Sequence, residues 1–359
     1  MTTTIKAVVA VEKGQAAVRD VPMPRLRDDY ILVKVKAVGL NPTDWKHIDF
    51  GLAPPGARVG CDYAGIVEEV GPGVTKDFKK GDRIAGVVHG CDASQLENGA
   101  FAEYIVAKGD LQIKIPDNLS NEEAATLGIS VCTVGQGLYR SLQLPLPPAS
   151  FFVKQRILIY GGSTATGILG IQFARLSGLA VLATSSPHNF DLLRSLGARW
   201  VFDYHTATPE DCAAEIRRAT SGSLPLAWDC TGLGAEVCAA ALSTDAERDR
   251  PTYGTILPVE RAVLDRVNAA VEGPRETLMY TVFGEPFVKG GKETPADPDE
   301  YAFAKDFWEL ARGFLESGDV KTVTPDVNRG GKSGLEGVLV GLDELRAGKV
   351  SGTKLVYTL

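Results

Sequence analysis

The sequence predicts an α/β fold of two domains, one rich in strands and one built around a doubly wound parallel sheet. The chain has 359 residues, which is long for one compact core and suits two domains. Up to about residue 150, short apolar segments alternate with glycine turns. Beyond that point the pattern becomes strand, helix, strand, which is typical of a parallel sheet with right-handed crossovers.

The first half of the chain predicts a curled, strand-rich domain. β-branched residues mark strands at 31–38, 64–70 and 83–88. Gly71-Pro72-Gly73 and Lys80-Gly81-Asp82 are turn signals between them. The proline-rich segment 145–148 then breaks the chain before the pattern changes.

The second half predicts alternating strands and helices, with apolar residues at helical spacing after each buried strand. The expected strands are 156–160, 179–183, 200–202, 226–228 and 255–257, and the expected helices are 167–177 and 189–196. A polar loop is expected at 290–300 and an amphipathic helix at 301–315. The tail 354–357 has the pattern of a strand that rejoins the first domain.

Composition and charge exclude several function classes. The net charge of −7 argues against nucleic acid or an anionic membrane as the main partner. No apolar run approaches the roughly 20 residues needed to span a bilayer, and the N-terminus lacks the apolar stretch of a signal peptide. We therefore expect a cytoplasmic protein. The six cysteines form no C-x-x-C pair, which predicts reduced, mostly buried thiols.

A glycine-rich segment follows the strand at 156–160. There Gly162-x-Thr164-x-x-Gly167 matches the spacing of the dinucleotide-binding fingerprint, with threonine in the second glycine position. Gly162 permits the tight turn, and Gly167 lets the helix approach the sheet. Amides at the helix start bind a pyrophosphate at the positive end of the helix dipole. The segment therefore predicts a Rossmann-type nucleotide site.

The end of the next strand distinguishes between the two nicotinamide cofactors. An NAD site usually places Asp or Glu there to bind the ribose 2′-hydroxyl. The segment 184–189, Thr-Ser-Ser-Pro-His-Asn, has no carboxylate, and Asp191 lies inside the following helix. Hydroxyl, imidazole and amide groups at a helix N-terminus suit a 2′-phosphate. The sequence favours NADPH, although Ser186 also fits an ordinary N-cap.

Together with Asn41-Pro42-Thr43-Asp44 and the segments 60–65 and 70–74, these motifs resemble the medium-chain dehydrogenase/reductase superfamily along nearly the whole chain. The closer resemblance is to fungal trans-acting enoyl reductases, which serve highly reducing polyketide synthases that lack a working reductase domain. The segments that carry this closer resemblance are 161–166, 186–191, 201–204, Ser351-Gly352 and 354–356.

The resemblance implies a GroES-like substrate domain at 1–152 and 289–359 and a Rossmann NADPH-binding domain at 153–288. Nicotinamide and substrate would lie in the cleft between them. By motif, the residues near the phosphates would be Gly162, Ser163, Thr164, Ala165 and Thr166. Those around the adenosine 2′-phosphate would be Ser186, Pro187, His188, Asn189 and Tyr204. Those near the nicotinamide half would be Thr43, Asp44, Lys46, Leu257, Pro258, Val350 and Ser351. The acyl pocket would be lined by Thr133, Thr281, Val282, Phe283, Gly284 and Glu285.

The same resemblance predicts no metal. Zinc alcohol dehydrogenases of this superfamily have a cysteine at the position of Asn41 and a histidine at that of Cys61. A catalytic zinc site needs three protein ligands, and Cys61 with Asp62 falls short of that number. The four-cysteine structural lobe is missing as well.

The chemistry expected without a metal is conjugate reduction. Alcohol oxidation loses its usual means of stabilising an alkoxide, whereas an enoyl thioester needs donors at its enolate oxygen and a proton at Cα. Lys46 is the first candidate for this polar role, as proton donor, enolate stabiliser or nicotinamide-side contact; an exposed loop lysine is the alternative. Thr133 matches a threonine that fronts the active site in related reductases, and its alternative is a hydroxyl bonded to backbone. His47, His89 and His205 are expected on the surface or in loops.

Three functions stay open at this point. The leading hypothesis is a trans-acting enoyl reductase that uses NADPH to reduce an α,β-unsaturated polyketide thioester held on an acyl carrier domain. The second is a free-standing NADPH-dependent reductase of quinones or small enones. The third is a cofactor-binding protein with little catalysis. The resemblance favours a monomer and leaves a dimer open, and the sequence does not specify acyl length or stereochemistry.

Overall fold

The computed structural model describes residues 4–149, 155–205 and 208–359. It divides into two compact units: unit one comprises the described residues of Met1–Cys132 and Tyr280–Leu359, and unit two those of Thr133–Met279.

These ranges differ from the sequence-based domain ranges at both boundaries. The expected boundary at 152/153 falls outside the described residues. Gly137 packs within unit two, where a Cβ on it would lie 2.3 Å from the Trp228 ring. Glu285 packs within unit one, because its carboxylate accepts hydrogen bonds from Tyr30 and Lys108.

The first part of unit one is mostly β-structure. Its elements are β1 (Thr4–Glu12), β2 (Gln15–Pro22), β3 (Tyr30–Gly39), α1 (Pro42–Asp49), β4 (Asp62–Val70), β5 (Arg83–Val87), β6 (Tyr104–Lys108), β7 (Gln112–Lys114), α2 (Asn121–Ala124) and α3 (Gly128–Val134). The last two residues of α3 and the π-helical segment that continues it, Gly135–Ser141, belong to unit two. The strands expected at 31–38, 64–70 and 83–88 are confirmed as β3, β4 and β5.

Unit two alternates strands and helices. Its elements are β8 (Arg156–Tyr160), α4 (Ala165–Leu176), β9 (Ala180–Thr184), α5 (Phe190–Ser195), β10 (Ala198–Phe202), α6 (Pro209–Thr220), β11 (Leu226–Asp229), α7 (Ala235–Ala241), α8 (Ala246–Asp249), β12 (Thr252–Thr255), α9 (Arg261–Val267) and β13 (Glu272–Glu276). The strand expected at 255–257 lies earlier, because the Thr255 hydroxyl bonds to both the N–H and the C=O of Leu257 and turns the chain.

The last part of unit one contains β14 (Phe287–Lys289), β15 (Lys292–Thr294), α10 (Pro298–Ser317), β16 (Pro325–Val327), α11 (Gly334–Arg346) and β17 (Lys354–Thr358). The expected polar loop at 290–300 is wrong: β14 and β15 form an antiparallel hairpin. Its turn is made by Gly290 and Gly291, whose φ values of 58° and 77° suit a two-residue hairpin turn. The amphipathic helix is confirmed as α10.

The main sheet of unit one joins both ends of the chain. Its strand order is β16-β17-β3-β4-β5-β7, with β6 also paired to β3. The tail strand β17 runs antiparallel to β3, with Val356 opposite Gly39, as the sequence predicted. From Ile31 to Ala37, buried apolar residues of β3 alternate with the less buried Leu32, Lys34 and Lys36, as expected for a sheet with one core face.

The sheet of unit two is parallel throughout, in the order β10-β9-β8-β11-β12-β13. Counted along the chain this is 3-2-1-4-5-6, the order of a doubly wound nucleotide-binding fold. Because parallel strands end at the same edge, the loops after β8, β9, β10, β11 and β12 lie at one edge of the sheet. Over the described residues, no helix is both long and apolar enough to cross a membrane.

Candidate functional site

The loop between β8 and α4 is a close-packed turn of main-chain atoms. Gly161 adopts a φ of 77°, a conformation that favours glycine. Its N–H donates to Oγ1 of Thr184 at 3.0 Å, and the N–H of Gly162 donates to the carbonyl of Thr184 at 2.9 Å. These bonds hold the turn against the end of β9.

Two positions of this turn have no room for a side chain larger than that of glycine. A Cβ on Gly162 would lie 2.9 Å from the Ala183 Cβ and from Leu193, and one on Gly167 would lie 2.3 Å from the carbonyl oxygen of Gly161. The helix therefore packs directly on the turn. This close approach is the feature that lets a nucleotide pyrophosphate reach main-chain amides.

Thr164 occupies the second glycine position of the motif because it caps the helix. Its Oγ1 accepts from the N–H of Gly167 at 3.0 Å and donates to the carbonyl of Gly161 at 2.8 Å. Ser163 and Ala165 are half-buried, and Thr166 is buried. The positive end of the 12-residue helix α4 thus lies at this turn, as the sequence predicted.

The end of β9 carries hydroxyl groups and no carboxylate. Among the residues that the structure describes, the buried Ser185 Oγ has no hydrogen-bond partner and the Ser186 hydroxyl caps no helix. Pro187 and His188 are exposed, Asn189 is buried, and its amide lies 3.2 Å from Nε2 of His188. An unpaired buried hydroxyl calls for a partner, so these residues fit a 2′-phosphate. The sequence analysis counted Ser185 among the hydroxyls of the segment 184–189 but did not name it as a site residue.

The loops after β10 and β12 contribute exposed side chains at the same edge. The Tyr204 ring is 40% exposed and stacks on His205 at 4.1 Å. Leu257 is 38% exposed, and Pro258 beside it is exposed as well. The predicted cofactor residues of unit two therefore lie in loops at one edge of one sheet.

The loop after β11 is anchored by Asp229, which sequence reasoning did not single out. This fully buried carboxylate accepts from the Tyr253 hydroxyl, the Thr231 hydroxyl and the N–H groups of Thr231, Gly232 and Gly234. The anchored loop packs Gly232 on Leu257, since a Cβ on Gly232 would lie 2.5 Å from the Leu257 Cβ. Asp229 thereby fixes the position of a predicted cofactor residue.

In unit one, helix α1 presents Thr43, Lys46 and His47 on one face, because residues three and four apart are neighbours on a helix. Asp44 points inward, and its Oδ2 accepts from the N–H of Asn41 at 2.7 Å, forming a capping box. Burial raises the pKa of the Asp44 carboxyl to about 8. The structure thus shows a local structural role for Asp44.

The sequence predicts His47, His89 and His205 on the surface or in loops, and this is wrong for His47, which is buried in helix α1. His89 lies in the loop after β5, as expected, but its side chain packs among aromatic rings. His89 stacks on Tyr280 at 4.5 Å and on Phe283 at 5.3 Å, while His47 Nδ1 lies 3.0 Å from the Thr43 hydroxyl. Burial lowers the pKa of His47 to about 4 and that of His89 to about 3, so both imidazoles are neutral at pH 7. His205, by contrast, has an exposed side chain.

The predicted acyl-pocket segment 281–285 mixes buried and anchored residues. Val282 and Phe283 are buried, and Thr281 and Gly284 are half-buried. The Glu285 carboxylate accepts from the Tyr30 hydroxyl at 2.9 Å and from Lys108 Nζ at 2.5 Å. Its charge is therefore already paired inside unit one.

The remaining predicted site residues are Thr133, Val350 and Ser351. Thr133 is buried one residue before the last residue of α3, where the π-helical segment begins. Such π-helical insertions are frequent at functional sites. Val350 is half-buried against the core of unit one, and Ser351 is exposed.

An ammonium group lies between two of the positions compared with zinc ligands. Lys354 Nζ is 2.8 Å from Asn41 Oδ1 and 2.5 Å from Asp62 Oδ2. Cys61 is buried, and burial raises the pKa of its thiol well above the usual range. Within the described part of the chain, no group of three or more His, Cys, Asp or Glu side chains is arranged to hold a metal ion.

Comparison with known proteins identifies the relatives of this chain. Residues 27–117 match the family model of the alcohol dehydrogenase GroES-like domain. The trans-enoyl reductase resD of Aspergillus sclerotiorum is 46% identical over 98% of this chain and 99% of its own length. The trans-enoyl reductase TOXD of Cochliobolus carbonum is 52% identical over 79% of this chain and 91% of its own length.

Solved structures show the same fold. The CurK enoyl reductase superposes with a TM-score of 0.75 at 20% identity, covering 99% of both chains. The quinone oxidoreductase of Coxiella burnetii superposes with a TM-score of 0.71 at 21% identity, covering 99% of this chain and all of its own. The predicted GroES-like and doubly wound α/β architecture is confirmed.

Proposed function

This chain belongs to the trans-enoyl reductases of the medium-chain dehydrogenase/reductase superfamily, and we propose that it reduces the α,β double bond of a polyketide acyl thioester with NADPH. The observation that carries the proposal is the near full-length match to relatives named trans-enoyl reductases, combined with a close-packed nucleotide turn at residues 161–167. The chain is an enzyme of the oxidoreductase class, and its family uses a nicotinamide cofactor.

The choice of NADPH is supported by the end of β9. The hydroxyls of Ser185 and Ser186 lie where an NAD site would place a carboxylate. Asp191 is exposed and pairs with Arg194 at 3.1 Å, so its charge is not directed at that position. Ser186, His188 and Asn189 would hold the 2′-phosphate, with Tyr204 beside them. NADPH, when bound, supplies the hydride.

The protein's own residues have to orient and polarise the thioester and supply a proton. Lys46 shares a helix face with Thr43, and we assign both to the nicotinamide side together with Val350 and Ser351. Thr133 orients substrate or nicotinamide. The segment 281–285 borders the acyl chain through its apolar residues, since its carboxylate is already paired.

The substrate is proposed to arrive on the phosphopantetheine arm of an acyl carrier domain of a highly reducing polyketide synthase. Relatives bearing the name trans-enoyl reductase support cooperation with a synthase. We expect the enzyme to act as a monomer, without nucleic acid or membrane as a partner.

NADPH oxidation with three substrates tests the proposal. We expect turnover with a crotonyl thioester of pantetheine, and a higher kcat/KM with the same acyl group on an acyl carrier domain. Turnover of benzoquinone but of neither thioester would instead identify a quinone or enone reductase. Binding of NADPH without turnover of any substrate would identify a binding protein.

A further inference from the structure

Lys289, the last residue of β14, carries a half-buried ammonium group without a carboxylate partner. Its Nζ lies 4.5 Å from the centroid of the Tyr280 ring. Among the residues that the structure describes, no Asp or Glu oxygen lies within 4.0 Å of it, and the acidic groups acting on it are the thiols of Cys61 and Cys91. Charges taken out of water are normally paired. This unpaired ammonium therefore calls for an explanation.

The side chains around Lys289 are neutral at pH 7. Burial, followed by the charge of Lys289 itself, lowers the pKa of His47 to about 4 and that of His89 to about 3. Burial also raises the pKa values of the Tyr280 phenol and of the Cys61 and Cys91 thiols. Nothing in this group cancels the positive charge, and a partly desolvated ammonium acts more strongly on an anion than one in water.

The carboxylates near this group are engaged elsewhere. Glu285, whose charge reaches His89, is bound to Lys108 and to Tyr30. Asp44 accepts the N–H of Asn41 and has a pKa raised by burial to about 8. Asp92, whose Oδ2 lies 3.6 Å from His89 Nδ1, accepts hydrogen bonds from the Ser94 N–H and the Asn98 amide. None of these three carboxylates lies within 4.0 Å of the Lys289 ammonium.

A cation–π contact and one hydrogen bond connect Lys289 to the face of α1 that the proposed function assigns to the nicotinamide side. The Tyr280 hydroxyl, on the ring beneath Lys289, lies 2.8 Å from the Thr43 hydroxyl. Thr43 in turn lies 3.0 Å from His47 Nδ1. The ammonium of Lys289 thus contacts a ring whose hydroxyl is hydrogen-bonded to Thr43.

We propose that Lys289 is a further catalytic residue, whose ammonium donates a hydrogen bond to the thioester oxygen while that oxygen becomes an enolate oxygen. The inference rests on the proposed function. Hydride addition forms a C–H bond at Cβ, the C=C electron pair moves between Cα and the carbonyl carbon, and the C=O π pair moves to oxygen; NADPH is oxidised to NADP⁺. A proton, delivered by Lys46 or by water, then bonds to Cα and the C=O bond re-forms. Lys289 keeps its proton throughout.

This assignment separates the two candidate lysines. Lys289 stabilises the enolate oxygen, and Lys46 is left with proton delivery or with the nicotinamide side. Donors directed at a developing oxyanion act mainly on kcat, because their hydrogen bonds strengthen as charge develops.

Charge removal at Lys289, with a control on the same hairpin, tests the proposal. Lys289→Gln and Lys289→Met remove the ammonium; Lys292→Gln makes the same charge change at an exposed position directly opposite Lys289 in the β14–β15 pairing. We expect kcat for crotonyl-pantetheine to fall about 100-fold in both Lys289 variants, the typical loss for one oxyanion donor. The Kd for NADPH should stay within about twofold, and Lys292→Gln should match the wild type.

A deuterium isotope effect separates catalysis from structure. With NADPH deuterated at the transferred position, both Lys289 variants should show a larger isotope effect on kcat than the wild type, because hydride transfer becomes slower than product release. A change that only loosened the hairpin would not produce this increase.

A loss in kcat below tenfold in either folded Lys289 variant, or an equal loss of NADPH affinity, overturns the role of Lys289. Lys289→Met keeps the test valid if Lys289→Gln fails to fold, because its apolar chain can still cover the Tyr280 ring. If the wild type reduces no enoyl thioester, the proposed function fails together with this inference. If the wild type reduces enoyl thioesters and the Lys289 variants do so with the same kcat, the inference fails alone.

Discussion

The ammonium of Lys354 lies 2.5 Å from Oδ2 of Asp62, and both side chains are buried in unit one. The bond joins the tail strand β17 to β4, and Asp62 also accepts the N–H of Ile129 at 2.8 Å. Lys354 Nζ also donates a hydrogen bond to Oδ1 of Asn41, the N-cap residue of α1, at 2.8 Å. The buried Lys354 ammonium thus links the tail of the chain to β4 by an ion pair and to the helix that carries Thr43 and Lys46 by a hydrogen bond.

Removing this ammonium should destabilise the protein. We expect Lys354→Met to lower the free energy of unfolding by about 3–5 kcal/mol, because it leaves the Asp62 carboxylate buried and uncompensated. Urea denaturation measures the change. The exposed pair of Lys6 and Asp20 is the control, and Lys6→Met should cost at most about 1 kcal/mol. Adding Asp62→Asn to Lys354→Met should restore part of the loss; equal effects at Lys354 and Lys6 would contradict the role of burial.

Lys46 should be needed for reduction and not for cofactor binding. We expect Lys46→Ala to lower kcat for an enoyl thioester by about 100-fold, because it removes a positioned polar group. Steady-state kinetics and fluorescence titration of NADPH measure the two quantities separately. Lys36→Ala, at a position on β3 outside the site, is the control. A matching loss of NADPH affinity would show that Lys46 serves the nucleotide.

The nucleotide turn should tolerate no side chain at position 167. Because a Cβ on Gly167 would lie 2.3 Å from the carbonyl of Gly161, we expect Gly167→Ala to shift the turn and to weaken NADPH binding by about tenfold or more. Gly313→Ala in α10 is the matched control, since apart from its chain neighbours and the adjacent backbone of α10 no described heavy atom lies within 4 Å of the added Cβ. That variant should gain up to about 1 kcal/mol in stability. Unchanged NADPH affinity in Gly167→Ala would place the cofactor elsewhere.

A carboxylate at the end of β9 should reverse cofactor preference. Ser186→Asp places a negative charge where we expect the 2′-phosphate. The charge-assisted hydrogen bonds lost there are worth about 1.5–3 kcal/mol. We therefore expect the ratio of kcat/KM with NADPH to kcat/KM with NADH to fall about 10- to 100-fold. Ser195→Asp, at the exposed end of α5, adds the same charge away from the site. A preference that stays the same in Ser186→Asp would argue against phosphate recognition here.

The buried histidines should make the fold sensitive to acid. Burial, with the charge of Lys289, depresses the folded-state pKa of His89 to about 3, partly offset by Glu285, so the unfolded chain binds the proton more readily. The stability that neutral His89 contributes is complete above about pH 6.5 and is lost as pH falls toward 3, by about 1.4 kcal/mol per pH unit.

Replacing the imidazole by a ring that does not titrate tests this dependence. His89→Phe can keep the stacking on Tyr280 and Phe283, and we expect a shallower fall of unfolding free energy between pH 6.5 and 4. The exposed His205 is the control, and His205→Gln should follow the wild-type curve. Parallel curves for His89→Phe and the wild type would contradict a neutral buried imidazole.

Local patterns in the sequence predicted much of the candidate site in unit two. The glycine spacing from Gly162 to Gly167 marks a turn that follows a strand and precedes a helix. The lack of space for a Cβ at both positions agrees with that interpretation. The missing carboxylate at 184–189 was equally visible, because both features involve residues that are neighbours along the chain. The family relation and the two-part α/β fold followed from the same short segments.

Only the tertiary structure decided which distant side chains share an environment. Asp62 and Lys354 are 292 positions apart, and Thr43 and Tyr280 are 237 apart. No periodicity links such residues, so burial of His47 and His89 and the unpaired ammonium of Lys289 were not predictable from spacing. The pKa and charge of a group depend on desolvation and on neighbours brought together by folding, and these are properties of the packed chain rather than of its local sequence.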